Sequence, residues 1–288
     1  MDKCYLCPRK CGADRASGVG ACGVGNEIII AKFMLHMWEE PSISGTNGSG
    51  AIFFSGCPLK CVYCQNKEIS HGLKGEKISA ARLGEIMLEL QKRGAHNINL
   101  VTPTHYADKI IETLCLIKNE LKIPVVYNTS GYESVEQIEK MAEHVSVFLT
   151  DVKYYSPELS KKYSLCPDYY EVAKSSLGAM LKAKPTCTFD KDGIMTSGVI
   201  LRHLVLPGCR HDSIKILEDV AASFDVSSFK LSLMSQYTPD FYSGEHKELC
   251  RRVTSFEYSS VLTRASELSY DGYMQEKESA TKSFTPEF

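Results

Sequence analysis

From residue 51 onward the chain alternates short β-type runs with helical ones, and no other feature constrains its fold as strongly. The strand candidates are 51–55, 97–101, 124–128, 145–150, 198–206 and 229–234, with helical runs at about 79–94, 106–120, 133–143, 168–183 and 212–223. The first helix is the clearest. Ser79 is a good N-cap, Leu83, Ile86, Met87 and Leu90 repeat with helical period, and Gly94 is a natural stop. Such β/α units build a parallel sheet with crossover helices. Six units in roughly 190 residues fall short of a closed eight-fold barrel, which takes ~250. An open partial (β/α)6 barrel or a doubly wound sheet remains.

Composition narrows the function. A chain of 288 residues with 43% hydrophobic residues buries a core without disulfide staples and is not disordered. With 33 Lys+Arg against 35 Asp+Glu it has no basic field for a phosphate backbone, so no nucleic-acid partner is expected. The apolar run Ile28 to Trp38 is broken by Lys32 and His36 and is far shorter than the ~20 residues of a spanning helix. It reads as a buried strand, and no membrane role is expected. Met1-Asp2-Lys3-Cys4 does not begin a signal peptide, so the expected location is the reducing cytoplasm. There, closely spaced cysteines are metal ligands rather than disulfides.

Seven of the twelve cysteines fall in the first 64 residues, in two groups. The chain divides into a Cys-rich metal knuckle at 1–25, a connector at 26–50 ending in a Gly/Ser-rich stretch, and the β/α array with a C-terminal extension at 51–288. The tail 270–288 is polar and is expected to pack last. In the knuckle, Cys4, Cys7, Cys11 and Cys22 have the arithmetic of a four-thiolate site. Zinc and an iron–sulfur cluster suit it equally, and cysteines without a metal are the remaining alternative. Zinc would make the N-terminus fold only with metal, whereas a second cluster would relay electrons.

The second group follows the first strand: Ser55-Gly56-Cys57-Pro58-Leu59-Lys60-Cys61-Val62-Tyr63-Cys64. Three thiolates at Cys-x3-Cys-x2-Cys spacing hold three irons of a [4Fe–4S] cube and leave the fourth iron open. The expected occupant of that iron is S-adenosylmethionine, held by its amino and carboxylate groups for one-electron cleavage. A closed zinc site would need a fourth ligand. His71, the nearest candidate, reads as a loop residue.

This loop, placed after the first strand of a β/α array, resembles the radical S-adenosylmethionine (radical SAM) superfamily. The stretches Cys4–Arg9, Leu35–Pro41, Asn97–Tyr106 and Arg202–Gly208 resemble the uncharacterised branch of pyruvate formate-lyase activating enzyme homologues. The resemblance implies an open (β/α)6 barrel of radical SAM type, with catalysis at Cys57, Cys61 and Cys64. It implies cofactor contacts from Tyr63 and from strand ends: Thr102, Thr104 or His105 in place of the family's Gly-Gly-Glu, then Asn128 and Thr129, Asp151 and Lys153, and Arg202. Lys153 would pair with the methionine carboxylate, and Asp151 would hold the ribose side or a cation.

It implies no known substrate: if the chain acts as an activase, the substrate is a glycyl-radical enzyme, and an electron donor such as flavodoxin or ferredoxin is expected. Modification of another protein, a peptide or a small molecule is the rival within the same chemistry. A non-catalytic iron–sulfur electron carrier is the rival outside it. Of the remaining residues, Glu39 and Glu40 either line the active-site mouth or, the safer reading, are simply exposed. Met34, Met37 and Trp38 are expected between knuckle and barrel, Cys115 in the core, and His203 away from the site. Cys166, Cys187, Cys209 and Cys250 have no ligand-like spacing.

Overall fold

The structure, a computed structural model, describes residues 3–275. Its strands are β1 (Ile28–His36), β2 (Ser49–Phe54), β3 (Glu76–Ile78), β4 (Ile98–Val101), β5 (Val125–Thr129), β6 (Val147–Asp151), β7 (Thr188–Phe189), β8 (Met195–Leu204), β9 (Lys230–Met234) and β10 (Gly272–Met274). The helices are α1 (Pro41–Ser44), α2 (Lys67–Ser70), α3 (Ala80–Lys92), α4 (Ala107–Leu116), α5 (Val135–Ala142), α6 (Pro157–Ser164), α7 (Tyr169–Ala183), α8 (Arg210–Ser223) and α9 (Ser255–Glu267). Every expected strand and helix is present with ends shifted by a few residues. Ser79 caps α3 by accepting from the Arg82 amide, as its position predicts.

The sheet runs β10-β9-β8-β6-β5-β4-β2-β1-β3, parallel from β2 to β10, with β1 antiparallel on β2 and β3 antiparallel on β1. The path is linear, with β3 and β10 at its ends, so the sheet stays open. It nevertheless curls. The Tyr273 hydroxyl on β10 donates to the hydroxyl of Ser42 on α1, 2.6 Å away and on the far side of the strand order.

Alternation along each strand divides the core in two. Ile52, Phe54, Leu100, Tyr127, Phe148 and Leu201 face outward into the large cluster that includes the apolar stripes of α3, α4, α5, α7 and α8. Val126, Val147, Leu149 and Ile200 face inward. There they meet Ile43 from α1, which is fully buried and plugs the inside of the curl. The plug is tied down by Asn97, whose amide donates to the Ile43 carbonyl at 2.7 Å while its oxygen accepts from Ser49 Oγ at 2.6 Å.

The segment 26–50 therefore supplies a sheet strand and the floor of the curl. Met34 packs with Ala51, Phe53, Ile69 and Val101, but Met37 and Trp38 are exposed and do not lie between knuckle and barrel. Cys115 is exposed as well, on the solvent face of α4. Sequence periodicity missed β3, β7 and β10, which are too short to display a period, and α6, whose apolar residues are few. It also missed α9, although Thr254 and Glu257 form a capping box there. Of the tail, β10 pairs with β9, and residues 276–288 lie outside the described residues.

Truncating Ile43 to Ala should lower the unfolding free energy by about 2–5 kcal/mol, because a fully buried aliphatic chain is removed from a closed floor. Leu116→Ala, on an exposed residue, should change it by less than about 0.5 kcal/mol. Equilibrium denaturation of both variants checks the comparison, and equal effects would contradict the floor assignment.

Candidate active site

The open end of the curl holds a cavity of about 310 Å³, within the range of small-molecule sites. The three cysteines of the β2–α2 loop form one wall, and the carboxyl ends of β4, β5, β6, β8 and β9 contribute the others. Gly56 makes the loop possible. Its φ is +88°, and a Cβ there would meet Val24 Cγ1 at 2.8 Å and both Cys22 O and His105 Nε2 at 3.0 Å.

Each sulfur of this loop accepts a hydrogen bond. The Leu59 amide donates to Cys57 Sγ (3.4 Å), Ser164 Oγ to Cys61 Sγ (3.0 Å) and Ser70 Oγ to Cys64 Sγ (3.4 Å). Burial pushes the Cys57 thiol up to about 12, and the Cys61 and Cys64 sulfurs add to the shift. Burial raises the Cys64 thiol as well; a cationic centre offsets such shifts, and donors aimed at sulfur are what tune an iron–sulfur cluster. The residues therefore fit a [4Fe–4S] cube with one open iron. His71, whose Nδ1 lies 2.9 Å from Ser70 Oγ, does not line the cavity.

Opposite the loop lies a buried charge network. Arg202 on β8 donates through Nε to Asp151 Oδ1 (2.9 Å), through one terminal nitrogen to Glu39 Oε2 (3.2 Å) and through the other to Asn128 Oδ1 (2.5 Å). Lys153 pairs with the other Asp151 oxygen, and Asn99 donates to Glu39 Oε1 at 3.0 Å. Burial alone would raise the Asp151 carboxyl, but Arg202 and Lys153 outweigh it and hold the group below the usual range. For Glu39 and Glu40 burial wins, and both are raised.

Glu39 and Glu40 thus correct the reading of exposed glutamates. Glu40 is only 8% exposed, and both line the cavity. Their position in α1's approach to the floor brings them inside, a long-range effect that local polarity does not reveal. Trp38, 60% exposed, lines the same cavity from its rim.

The structure brings together Cys57, Cys61, Cys64, Tyr63, Thr102, Asn128, Thr129, Asp151, Lys153 and Arg202 around one space. Thr102 stands at φ +60°, uncommon for a β-branched residue and typical of strain kept at a site. Thr104 and His105 are not brought to the cavity. His105 is buried behind the loop with Nε2 2.8 Å from the Ser55 carbonyl, so it braces the strand end. Thr104 and Thr129 both donate to Glu133 Oε1 at 2.5 Å, a buried anchor that sequence reading passed over. His203 is buried on the outer face, with Nδ1 2.6 Å from Val152 O. Residues that sequence reading missed here include Ser70 and Ser164, whose hydroxyls reach sulfur only through tertiary contacts.

In the knuckle, a Cβ on Gly20 would meet Cys22 Sγ at 3.3 Å and Cys11 Sγ at 3.5 Å, so the missing side chain leaves a cradle between them. Burial raises the Cys7 and Cys22 thiols while the backbone amides of Arg9 and Val24 work against it, and the Ala21 amide lowers Cys11; Cys7 lies within electrostatic reach of Cys4 and Cys22. Among the described residues, no three His, Cys, Asp or Glu side chains gather tightly enough for a single metal ion, in this group or in the loop. No helix among them is long and apolar enough to cross a membrane.

Residues 51–190 match the Radical SAM superfamily. The chain is 28% identical over 279 residues to an uncharacterized protein of Methanocaldococcus jannaschii, covering 93% of this chain and 75% of the relative. Among solved structures, Streptococcus suis SuiB bound to its precursor peptide SuiA matches with TM-score 0.51 and 13% identity, over 76% of this chain and 46% of SuiB. SuiB bound to S-adenosylmethionine matches with TM-score 0.49 and 14% identity, over 76% and 48%. The chain spans about half the length of these solved structures.

Glu133 carries a pH prediction. Burial raises its carboxyl to about 7 despite the hydroxyl donors on it. A carboxyl raised on folding stabilises fully below its unfolded value near 4.5, and that contribution is lost as pH rises through 7. Relative to Glu133→Gln, the wild-type unfolding free energy should therefore fall by about 3 kcal/mol between pH 4.5 and 8. A parallel pH dependence in the two proteins would contradict the assignment. The cysteine loop and the strands β4, β5 and β6 all lie within residues 51–190, the stretch that matches the Radical SAM superfamily.

Proposed function

We propose that this protein is an enzyme that cleaves S-adenosylmethionine reductively and uses the resulting radical to take a hydrogen atom from a substrate at the cavity mouth. The observation that carries the reading is the set of three hydrogen-bonded sulfurs facing the Arg202–Asp151–Lys153 network across one cavity. Cys57, Cys61 and Cys64 would hold the cluster. When bound, the cluster supplies the electron that splits the sulfonium into methionine and a 5′-deoxyadenosyl radical.

The chain's own residues do the rest. The network is locked by mutual pairing, so a bound zwitterion meets fixed charges rather than mobile ones. Lys153, held by Asp151, is the cation for the methionine carboxylate, and Asp151 and Asn128 present polar atoms to the ribose side. Thr102, Thr129 and Ser130 at the β4 and β5 ends replace an acidic motif for the amino group. Tyr63 is fixed by the Tyr154 hydroxyl at 2.7 Å and walls the sulfur side against water. A carrier would need four ligands at its cluster, and this loop offers three.

The electron would come from a low-potential donor such as a flavodoxin or ferredoxin. If the protein is an activase, its substrate is a glycyl-radical partner enzyme; the match of residues 51–190 supports only the chemistry. Anaerobic reconstitution with iron and sulfide, then dithionite and S-adenosylmethionine, should yield 5′-deoxyadenosine. Cys61→Ala should yield none, and Lys153→Ala should raise the S-adenosylmethionine KM about 10-fold or more through the lost charge pair. Nucleoside formation by Cys61→Ala equal to wild type would overturn the reading.

A further inference from the structure

We propose that the N-terminal knuckle holds an iron–sulfur cluster on Cys4, Cys7, Cys11 and Cys22 and passes its electron to the Cys57–Cys61–Cys64 loop through the Cys22–Cys57 contact. The destination of the electron rests on the function proposed above, whereas the cluster itself does not.

The two cysteine groups are 35 residues apart at their nearest members in sequence and adjacent in space. The carbonyl of Cys22, the last knuckle cysteine, accepts the amide proton of Cys57, the first loop cysteine, at 3.2 Å. One ligand is thus hydrogen-bonded to the other. The approach depends on Gly56, whose missing Cβ leaves room for Cys22 O. A second link runs through Arg9, between Cys7 and Cys11. Its Nε donates to Pro58 O at 2.8 Å, inside the radical loop, and its terminal nitrogens donate to Leu165 O (2.7 Å) and Ser164 O (3.1 Å). Ser164 in turn donates to Cys61 Sγ.

Four soft thiolates accept zinc or an iron–sulfur cube. A cube carries its thiolates on separate corners, so it does not need sulfurs gathered around one ion. A zinc knuckle has only its own loop to close and gains nothing from touching the ligands of a second site. Ligand-to-ligand contact is what an electron relay uses. In the relay, a low-potential one-electron carrier loses one electron to the knuckle, the knuckle returns to its starting state by passing it on, and the loop cluster is reduced by one. No proton moves and no bond changes in these steps.

The test uses the full chain reconstituted anaerobically with iron, sulfide and zinc together. The Cys57→Ala/Cys61→Ala/Cys64→Ala variant should keep about four irons against about eight in the wild type, with an EPR signal after dithionite that S-adenosylmethionine does not change. One zinc and no iron in that variant would overturn the proposal. Mössbauer spectra of the wild type guard against misfolding of the variant, and S-adenosylmethionine, which binds the one open iron, should shift about one iron in eight. A shifted share of about one iron in four would refute the second cluster. In Cys11→Ala the loop signal should appear 10-fold or more slowly under dithionite than in wild type, and an equal rate would refute the relay. Should S-adenosylmethionine leave every signal unchanged, the proposed function fails while the iron count still decides the knuckle.

Discussion

One guanidinium organises the inside of this molecule. Arg202, on β8, is bonded at once to Asp151 on β6, Asn128 on β5 and Glu39 from the floor segment. Three strand ends and the plug are thereby held at fixed distances around a cavity that would otherwise be lined by mutually repelling carboxylates. Removing one partner of such a network leaves a buried charge unpaired, which costs roughly 3–5 kcal/mol. The arrangement is expensive as a means of stability and sensible as a preorganised receptor. Its fixed charges face the cysteine loop, and a charged ligand entering between them would displace few protein groups.

The other side of the cavity is organised by contacts that begin far away in sequence. Arg9 and Cys22 from the N-terminal knuckle bond the backbone on either side of Cys57. Ser164, at the end of α6, reaches Cys61. The reactive loop is thus clamped between knuckle and barrel, and the knuckle is part of the site's architecture.

Much of this was legible in the sequence. The β/α alternation located the parallel strands along the chain, because apolar strands covered on both faces stand out against amphipathic helices. The Cys-x3-Cys-x2-Cys spacing located the reactive loop, and the family resemblance pointed to Asp151, Lys153 and Arg202, which lie at or near strand ends. What sequence reading missed shares a cause. Glu39 and Glu40 look like surface residues locally, yet the chain turns at Pro41 and carries them into the curl. His105 follows a strand end and looks like a site residue, yet the 3₁₀ turn after it aims its ring at the Ser55 carbonyl. Ser70, Ser164 and Glu133 act through contacts that no local pattern encodes.

The central claim is that the three sulfurs of the loop hold a cluster with one iron left open to S-adenosylmethionine. The most direct measurement is the EPR spectrum of the anaerobically reconstituted, dithionite-reduced protein with and without S-adenosylmethionine. The account predicts that part of the signal changes in shape and g values on addition, and that this part is missing when Cys57, Cys61 and Cys64 are replaced. A reduced cluster signal that depends on those cysteines yet is indifferent to S-adenosylmethionine would contradict it.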